Sequence, residues 1–200
     1  MANVNAPSGL SPVQYKNASP WTGGGRLYFI ASTDANAYAI GDPVTLSGSG
    51  DSNGVPGVTL ATAGTGSPVL GPVLGAGGIV EGAAYTDPSN INTTIIPATK
   101  TKGYYVLVAD DPNIIFEIQE GGAGAALTAA DIGTNVNLLA GTNSGYLSGW
   151  TFNNASGGAG ATIQLQLLGL ARKPNNAFGT YAKWLVRINN HQFAAGVAGV

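Results

Sequence analysis

The chain has no cysteine and only one histidine, His191, among its 200 residues. The absence of cysteine excludes a disulfide framework, thiolate chemistry and a cysteine-based zinc site. The single histidine has only amide side chains as close polar neighbours in the sequence (Asn189, Asn190 and Gln192). Because a general base or a metal ligand usually needs partners, we expect His191 to make a hydrogen bond at the surface or at an interface.

Charged residues are also scarce, at 9% of the chain against roughly 25% in an average soluble domain. Eight basic and ten acidic residues give a formal net charge of −2. A nucleic-acid-binding protein normally presents a basic face, so the composition argues against nucleic acid as a partner. No apolar run approaches the ~18 residues of a membrane helix, and Met1 to Pro7 show no signal-peptide pattern. We therefore expect synthesis in the cytoplasm and no membrane partner.

Glycine and proline are abundant, with 31 and 11 residues. They separate many short runs of β-branched and aromatic residues, such as 26–31 and 182–189, and no segment keeps a helical period over ten residues. This pattern predicts an all-β protein, either a sandwich or a barrel, built as a jelly roll or as two related β-lobes.

We divide the chain into an extended N-terminal arm (1–25), a β-rich domain (26–193) and a short C-terminal tail (194–200). The arm ends in three glycines and shows no regular period, yet it contains four large apolar residues: Leu10, Val13, Tyr15 and Trp21. Disordered tails seldom contain aromatic residues. We therefore predict that these four residues contact a partner protein or a neighbouring subunit.

A weak internal repeat indicates two related halves, about 26–120 and 121–193. The segments 40–46 and 132–138 both read I-G-x-x-V-x-L, and each is followed further along by an apolar run with an internal glycine. Two β-lobes with related turns explain the pattern. Chance matching in a chain rich in glycine, valine and leucine is the alternative explanation.

The strongest local pattern is a predicted hairpin over 102–119. Two runs of β-forming residues, 104–108 and 114–119, flank the turn residues Asp110, Asp111 and Pro112. Adjacent carboxylates on a strand would point to opposite faces, which does not suit a shared acid–base pair. We therefore interpret Asp110 and Asp111 as turn residues.

No nucleophile elbow, dinucleotide-binding fingerprint, phosphate-binding loop or calcium-loop spacing occurs in the sequence. We expect Glu117 and Glu120 on a solvent-facing or interface surface. Aromatic residues form two groups, which are Trp21 with Tyr28 and Phe29, and Trp150 with Phe152 and Trp184. Core packing is their expected role, although exposed aromatic residues would be typical of a carbohydrate-binding module.

Four segments together resemble decoration, or cement, proteins of tailed bacteriophages: MANVNAPSGLSPVQY, AIGDPVTL, YYVLVADDPNIIFEIQ and LLGLARKPNN. Such proteins are made alongside the major capsid protein. The resemblance implies a non-enzymatic virion protein on the capsid exterior that stabilises the capsid lattice. It implies the major capsid protein and neighbouring copies of the chain, as a dimer or trimer, as partners. It implies no catalytic residue, cofactor or metal.

Two other functions stay open from the sequence. One is another virion part, such as a tail or fibre protein or a carbohydrate-binding adhesin. The other is a degradative enzyme on a β scaffold, for which Asp110, Asp111 and Glu117 would be the residues to test.

Overall fold

The computed structural model describes residues 3–75 and 95–199, and within them the chain is built from β-strands, which confirms the all-β prediction. In chain order the strands are β1 (Ser11–Tyr15), β2 (Arg26–Ile30), β3 (Pro43–Gly50), β4 (Pro56–Leu60), β5 (Gly71–Gly75), β6 (Tyr104–Val108), β7 (Ile114–Gly121), β8 (Asn135–Leu139), β9 (Thr151–Gly158), β10 (Leu165–Leu170) and β11 (Lys183–Ile188). A short 3₁₀ helix, Ala129–Asp131, precedes β8. In this part of the chain, no helix has the length and apolar character needed to cross a bilayer.

Five strands close into a first ring in the order β2-β4-β3-β5-β6. Strand β2 pairs antiparallel with β6 and parallel with β4, and this second pairing closes the barrel. Alternate residues of the strands point inward, as the two-residue period requires. The interior is filled by buried apolar side chains, chiefly Tyr28, Ile30, Val44, Val58, Leu70, Val73, Val106 and Val108.

The second sheet runs β1-β7-β11-β10-β8-β9, and β9 returns to pair in parallel with β7. Strands β7, β11, β10, β8 and β9 therefore form a second closed ring. Strand β1 is added to β7 outside this ring, over 114–117, where β9 does not pair. The interior contains larger side chains than that of the first ring, among them Phe116, Phe152, Leu165 and Trp184.

The two rings have the same connectivity. In each, the first strand in chain order pairs parallel with the third and antiparallel with the fifth, while the second strand pairs with the third and the fourth. The registers also correspond, because a β-bulge interrupts β5 between Val73 and Gly75 and interrupts β10 between Leu167 and Gly169. The chain is thus a tandem pair of barrels with one topology.

The I-G-x-x-V-x-L motif enters the second strand of both rings. Gly41 and Gly133 each have φ of 93°, a value that favours glycine over any residue with a Cβ. The N–H of Gly41 donates to the Val73 carbonyl, and the N–H of Gly133 donates to the Leu167 carbonyl. The two copies of the motif therefore form equivalent turns in equivalent places.

The predicted hairpin of β6 and β7 is wrong. Residues 109–113 do form a turn, but β6 lies between β2 and β5 in the first ring, whereas β7 lies in the second. Ala109 is buried and donates its N–H to Pro72, which ends the first ring at this point. The division between the two rings consequently falls within 109–113, not near residue 120.

The N-terminal segment is bound along the second ring over its described residues, which corrects the prediction of an extended arm. Leu10 is 1% exposed and belongs to the core of the second ring. Residues 11–15 form a strand of the sheet. The Asn3 side chain donates to the carbonyls of Ala177 and Thr180 at 2.8 and 3.1 Å. Amide side chains and one buried leucine thus hold this segment in place.

The C-terminal segment also contacts the second ring. Val197 donates its N–H to the Asn189 side chain, and its carbonyl accepts from Asn135. Gly199 donates to the carbonyl of Ala159. Residue 200 of the predicted tail lies outside the described residues.

Candidate binding surface

An apolar groove lies on the outer face of the second ring, between β1 and the bulge of β10. It encloses a volume of about 730 Å³. Four exposed hydrophobic side chains line it: Val13 at 41%, Ile132 at 41%, Leu168 at 39% and Phe178 at 45% exposure. Contiguous apolar side chains of this kind mark interaction sites more often than isolated ones.

Local backbone geometry explains why these side chains stay outside. The bulge between Leu167 and Gly169 leaves Leu167 fully buried, while Leu168 is exposed on the outer face. Ile132 follows the 3₁₀ helix and is its C-cap residue. Thr128 caps the N-terminus of this helix in a capping box with Asp131. Phe178 lies with its ring centroid 5.5 Å from that of Trp184 in the core.

The charges around the groove are mainly positive. Glu117 lies in its floor, and its carboxylate is 2.7 Å from the Lys173 ammonium and 4.0 Å from that of Lys183. Arg172 and Lys173 are exposed and line the groove. Two ammonium groups thus lie close to one carboxylate, and Arg172 adds a further positive charge to the lining, although the whole chain carries a net charge of −2.

The four predicted contact residues have different environments. Val13 lines the groove, but Leu10 is buried in the core and cannot contact a partner without rearrangement. Tyr15 and Trp21 are half-buried and pack against the core of the second ring. Tyr15 also lines a more open depression of about 620 Å³ with neighbouring residues of two turns, Lys16, Asn17, Ser19, Asp111 and Asn113.

The main residues of the groove, Ile132, Leu168 and Phe178, were not among the predicted contact residues. One signal for Leu168 was present, because the alternation of Ile163, Leu165 and Leu167 is followed by a second leucine and then a glycine. A break of this kind in a strand is typical of a bulge that turns a side chain outward. The positions of Ile132 and Phe178 depend on tertiary contacts.

His191 is buried, so the expectation that it lies at a surface or an interface is wrong. Its Nδ1 accepts a hydrogen bond from the Phe193 N–H at 3.0 Å, while Nε2 has no partner in the described part of the chain. Burial lowers the pKa of the imidazole, although the nearby Asp110 and Asp111 charges oppose that shift. No group of three or more histidine, aspartate or glutamate side chains suited to a metal ion occurs among the described residues.

The adjacent carboxylates Asp110 and Asp111 have separate structural contacts. Asp110 accepts from the Tyr28 hydroxyl at 2.7 Å and lies 3.3 Å from the Arg26 guanidinium. The Asp111 side chain accepts from the N–H of Asn113. The interpretation of these residues as part of a turn is confirmed, since the Ile114 N–H donates back to the Asp111 carbonyl.

Glu117 and Glu120 are both buried, so the expectation that they face solvent is wrong, although Glu117 lies in the floor of the groove. Glu120 shares the inward face of β7 and accepts from Leu127, Asn154 and Trp184. A carboxylate with several donors can be buried because its hydrogen-bonding capacity is satisfied. Sequence periodicity could not reveal these donors, which come from three other segments.

The largest polar network in the first ring is centred on Asp34. Its carboxylate accepts from the hydroxyls of Tyr38 and Thr59, each at 2.7 Å, and lies 3.7 Å from the Lys100 ammonium. Burial opposes ionisation, but these donors lower the pKa of Asp34 overall. The network attaches residues 96–100 to the barrel.

The aromatic residues are mostly interior, as predicted. Trp150, Phe152 and Trp184 are buried in the second ring, and Tyr28 and Phe29 are buried as well. Trp21 is half-buried. The indole groups that would have favoured a carbohydrate site are therefore mainly core residues.

Comparison of the chain with protein-family models, with curated proteins and with solved structures found no significant match.

Proposed function

We propose that this chain is a non-enzymatic virion protein that binds the outer surface of a phage capsid and stabilises the lattice of the major capsid protein. The observation that carries the proposal is the apolar groove of the second ring, with Val13, Ile132, Leu168 and Phe178 exposed along it. Such a groove offers apolar area to a protein partner.

The composition supports the same role. Charged residues are 9% of the chain, and buried polar contacts are made largely by asparagine and glutamine side chains. A surface with few charges is poor at keeping free molecules apart but can be buried in an assembly with few unpaired ions. The resemblance of four segments to capsid decoration proteins gives the partner its identity.

The tandem barrels also suit a protein that spans a seam between capsid subunits. Two similar rings in one chain present two surfaces at a fixed spacing, and linked weak contacts act at high effective concentration. Neighbouring copies of the chain, as dimers or trimers, would extend this effect over the capsid.

The test is to mix the purified chain with undecorated capsids. We expect the chain to sediment with the capsids and to raise the temperature at which they lose integrity. Capsids mixed with an unrelated protein of similar size and charge serve as the control. The proposal is rejected if the chain stays in the supernatant and the capsids open at the control temperature.

A further inference from the structure

In the first ring, the turn before the second strand, β3, is covered by a distant segment of the chain. Ile40 donates its N–H to the Tyr146 carbonyl at 3.0 Å, and its own carbonyl accepts from the Ser148 N–H at 2.9 Å. Ile40 and Leu147 form a parallel bridge. The segment 146–148, which leaves a tight turn closed by Ser144 and Leu147, thus pairs with Ile40, and it comes from the other half of the same chain.

Ile132 is the corresponding residue of the second ring, at the same position of the repeated motif. Its side chain is 41% exposed. Over 3–75 and 95–199 its carbonyl accepts no hydrogen bond, and no extended segment lies on it as 146–148 lies on Ile40. The edge that the chain covers for itself on the first ring is therefore left open on the second by the residues that the structure describes.

The open edge adjoins the groove, whose lining describes its complement. Leu168 and Phe178 offer apolar contact to an extended segment. Arg172 adds a positive charge. Lys173 and Lys183 lie close to the Glu117 carboxylate, whose single negative charge offsets only one of their two positive charges. A segment with apolar side chains and carboxylates would satisfy both features, and lysine or arginine side chains would be repelled.

We propose that this groove receives an extended segment of a partner protein in which apolar and acidic residues alternate, and that the segment pairs with the Ile132 carbonyl as Ser148 pairs with that of Ile40. The identity of the partner, the major capsid protein, rests on the proposed function. Recognition would combine main-chain pairing with side-chain pockets, as in other cases of strand addition.

Two substitutions test the groove in the full chain with undecorated capsids. Leu168→Asp places a carboxylate among the apolar contacts, and we expect capsid affinity to fall at least about tenfold, the ratio that corresponds to 1.4 kcal/mol. Arg172→Glu reverses an exposed charge, and we expect a loss of about two- to fivefold, as for one surface ion pair. Circular dichroism and thermal melting establish that each variant is folded.

The matched controls lie on the first ring. Leu107, on β6, is 44% exposed, so Leu107→Asp makes the same chemical change at a similar exposure. Lys102→Glu is the control for charge reversal. We expect both controls to bind capsids as the unaltered chain does. Equal losses for Leu168→Asp and Leu107→Asp, or no loss with Leu168→Asp and Arg172→Glu, would overturn the proposal.

Because the chain has no cysteine, a single introduced cysteine can carry a photoreactive group. Ile132→Cys labelled with a benzophenone should cross-link to one segment of the capsid protein, rich in apolar and acidic residues. Leu107→Cys is the control and should not reach that segment. Cross-linking of the Ile132 position to a second copy of the chain, or equally from both positions, contradicts the proposal.

A peptide titration separates this proposal from the proposed function. The probes are the peptide Val-Asp-Leu-Glu-Val-Asp-Leu, capped at both ends, and its counterpart with asparagine and glutamine, followed by NMR. Preferential binding of the acidic peptide at the groove, lost in Leu168→Asp, supports the inference even if capsids are not bound. Capsid binding that is insensitive to the groove variants, with no preference between the peptides, overturns the inference and leaves the proposed function standing.

Discussion

At the scale of single residues, Asp42 has the most unfavourable environment. It is fully buried, and one carboxylate oxygen accepts from the Ala39 N–H at 2.8 Å and from the Asn143 amide at 2.9 Å. The other oxygen has no partner among the described residues. Burial outweighs these hydrogen bonds and raises the pKa of Asp42 above its ordinary value of 3.8. The carboxylate of Asp42 is therefore harder to ionise in the folded protein than in the unfolded chain.

This environment predicts a pH-dependent gain in stability for Asp42→Asn. Well below pH 3.8 the aspartate is neutral in both the folded and the unfolded chain, so its ionisation contributes nothing there. As the pH rises through the raised folded pKa, the unfolded state ionises more readily and the wild-type protein loses stability. Asparagine cannot ionise and keeps one acceptor oxygen, so the free energy of unfolding of the variant should exceed that of the wild type by more at pH 7 than at pH 3.5.

Urea unfolding at a series of pH values measures this difference. Asp42→Ala is the control, because it removes both the charge and the acceptor for the Ala39 N–H and should be less stable than Asp42→Asn throughout. A difference between Asn and Asp that does not change between pH 3.5 and 7 would show that the buried carboxyl is not the cause.

At the scale of elements, β1 and the residue before it, Leu10, were predicted to belong to an extended arm but are part of the second ring. We expect Leu10→Ala to lower the free energy of unfolding by about 2–5 kcal/mol, since it leaves a cavity in the core. Val13→Ala, three residues further on but 41% exposed, should change it by less than about 0.5 kcal/mol. Chemical denaturation of both variants decides whether this segment is an integral part of the fold. Equal, small effects would mean that it is a loosely attached arm.

Most individual strands could be predicted from the sequence, because alternation and β-forming composition are local properties. Strands β6, β7, β10 and β11 all coincide with runs that alternate or are rich in β-branched residues. Strand β1 was not found, because Ser11 to Tyr15 includes a proline and a register shift between Pro12 and Gln14. Its formation depends on the edge of β7.

The pairing of the strands was harder to predict from the sequence, since it depends on distant parts of the chain. The prediction of a turn at 110–113 is confirmed, but no local signal in the sequence indicates that β6 and β7 join different rings. The repeated motif did mark equivalent turns, because Gly41 and Gly133 meet the same backbone requirement at φ of 93°. The groove was missed because Ile132 and Phe178 carry no pattern that distinguishes an exposed apolar residue from a buried one.

At the scale of the whole molecule, the two rings are joined by a buried side chain, Gln164. Its amide nitrogen donates to the carbonyls of Thr62 and Ser67, at 2.8 and 3.0 Å. Its amide oxygen accepts from the N–H groups of Gly64 and Leu138, at 2.9 and 3.1 Å. The core of the second ring also includes Ala61 and Val69 from the first half of the chain. We therefore expect the two rings to unfold in one cooperative transition, with equal calorimetric and van't Hoff enthalpies.

Gln164→Leu should lower the stability of the whole chain and weaken the coupling between the rings. The change leaves four backbone groups without their Gln164 partner, of which the Leu138 N–H is in a buried hydrogen bond and the other three are in part-buried ones. Because a buried unsatisfied group costs about 1–3 kcal/mol and a part-buried one costs less, a loss of about 2 kcal/mol or more is expected. Gln166→Leu is the matched control two residues further on, in β10, because within the described part of the chain the Gln166 side chain bonds to Arg187 and Gly133, both in the second ring. In calorimetry, Gln164→Leu should broaden or split the transition, whereas Gln166→Leu should shift it slightly as a single peak. If both variants behave alike, the rings are coupled through the shared apolar core and the Gln164 amide contributes little to their cooperativity.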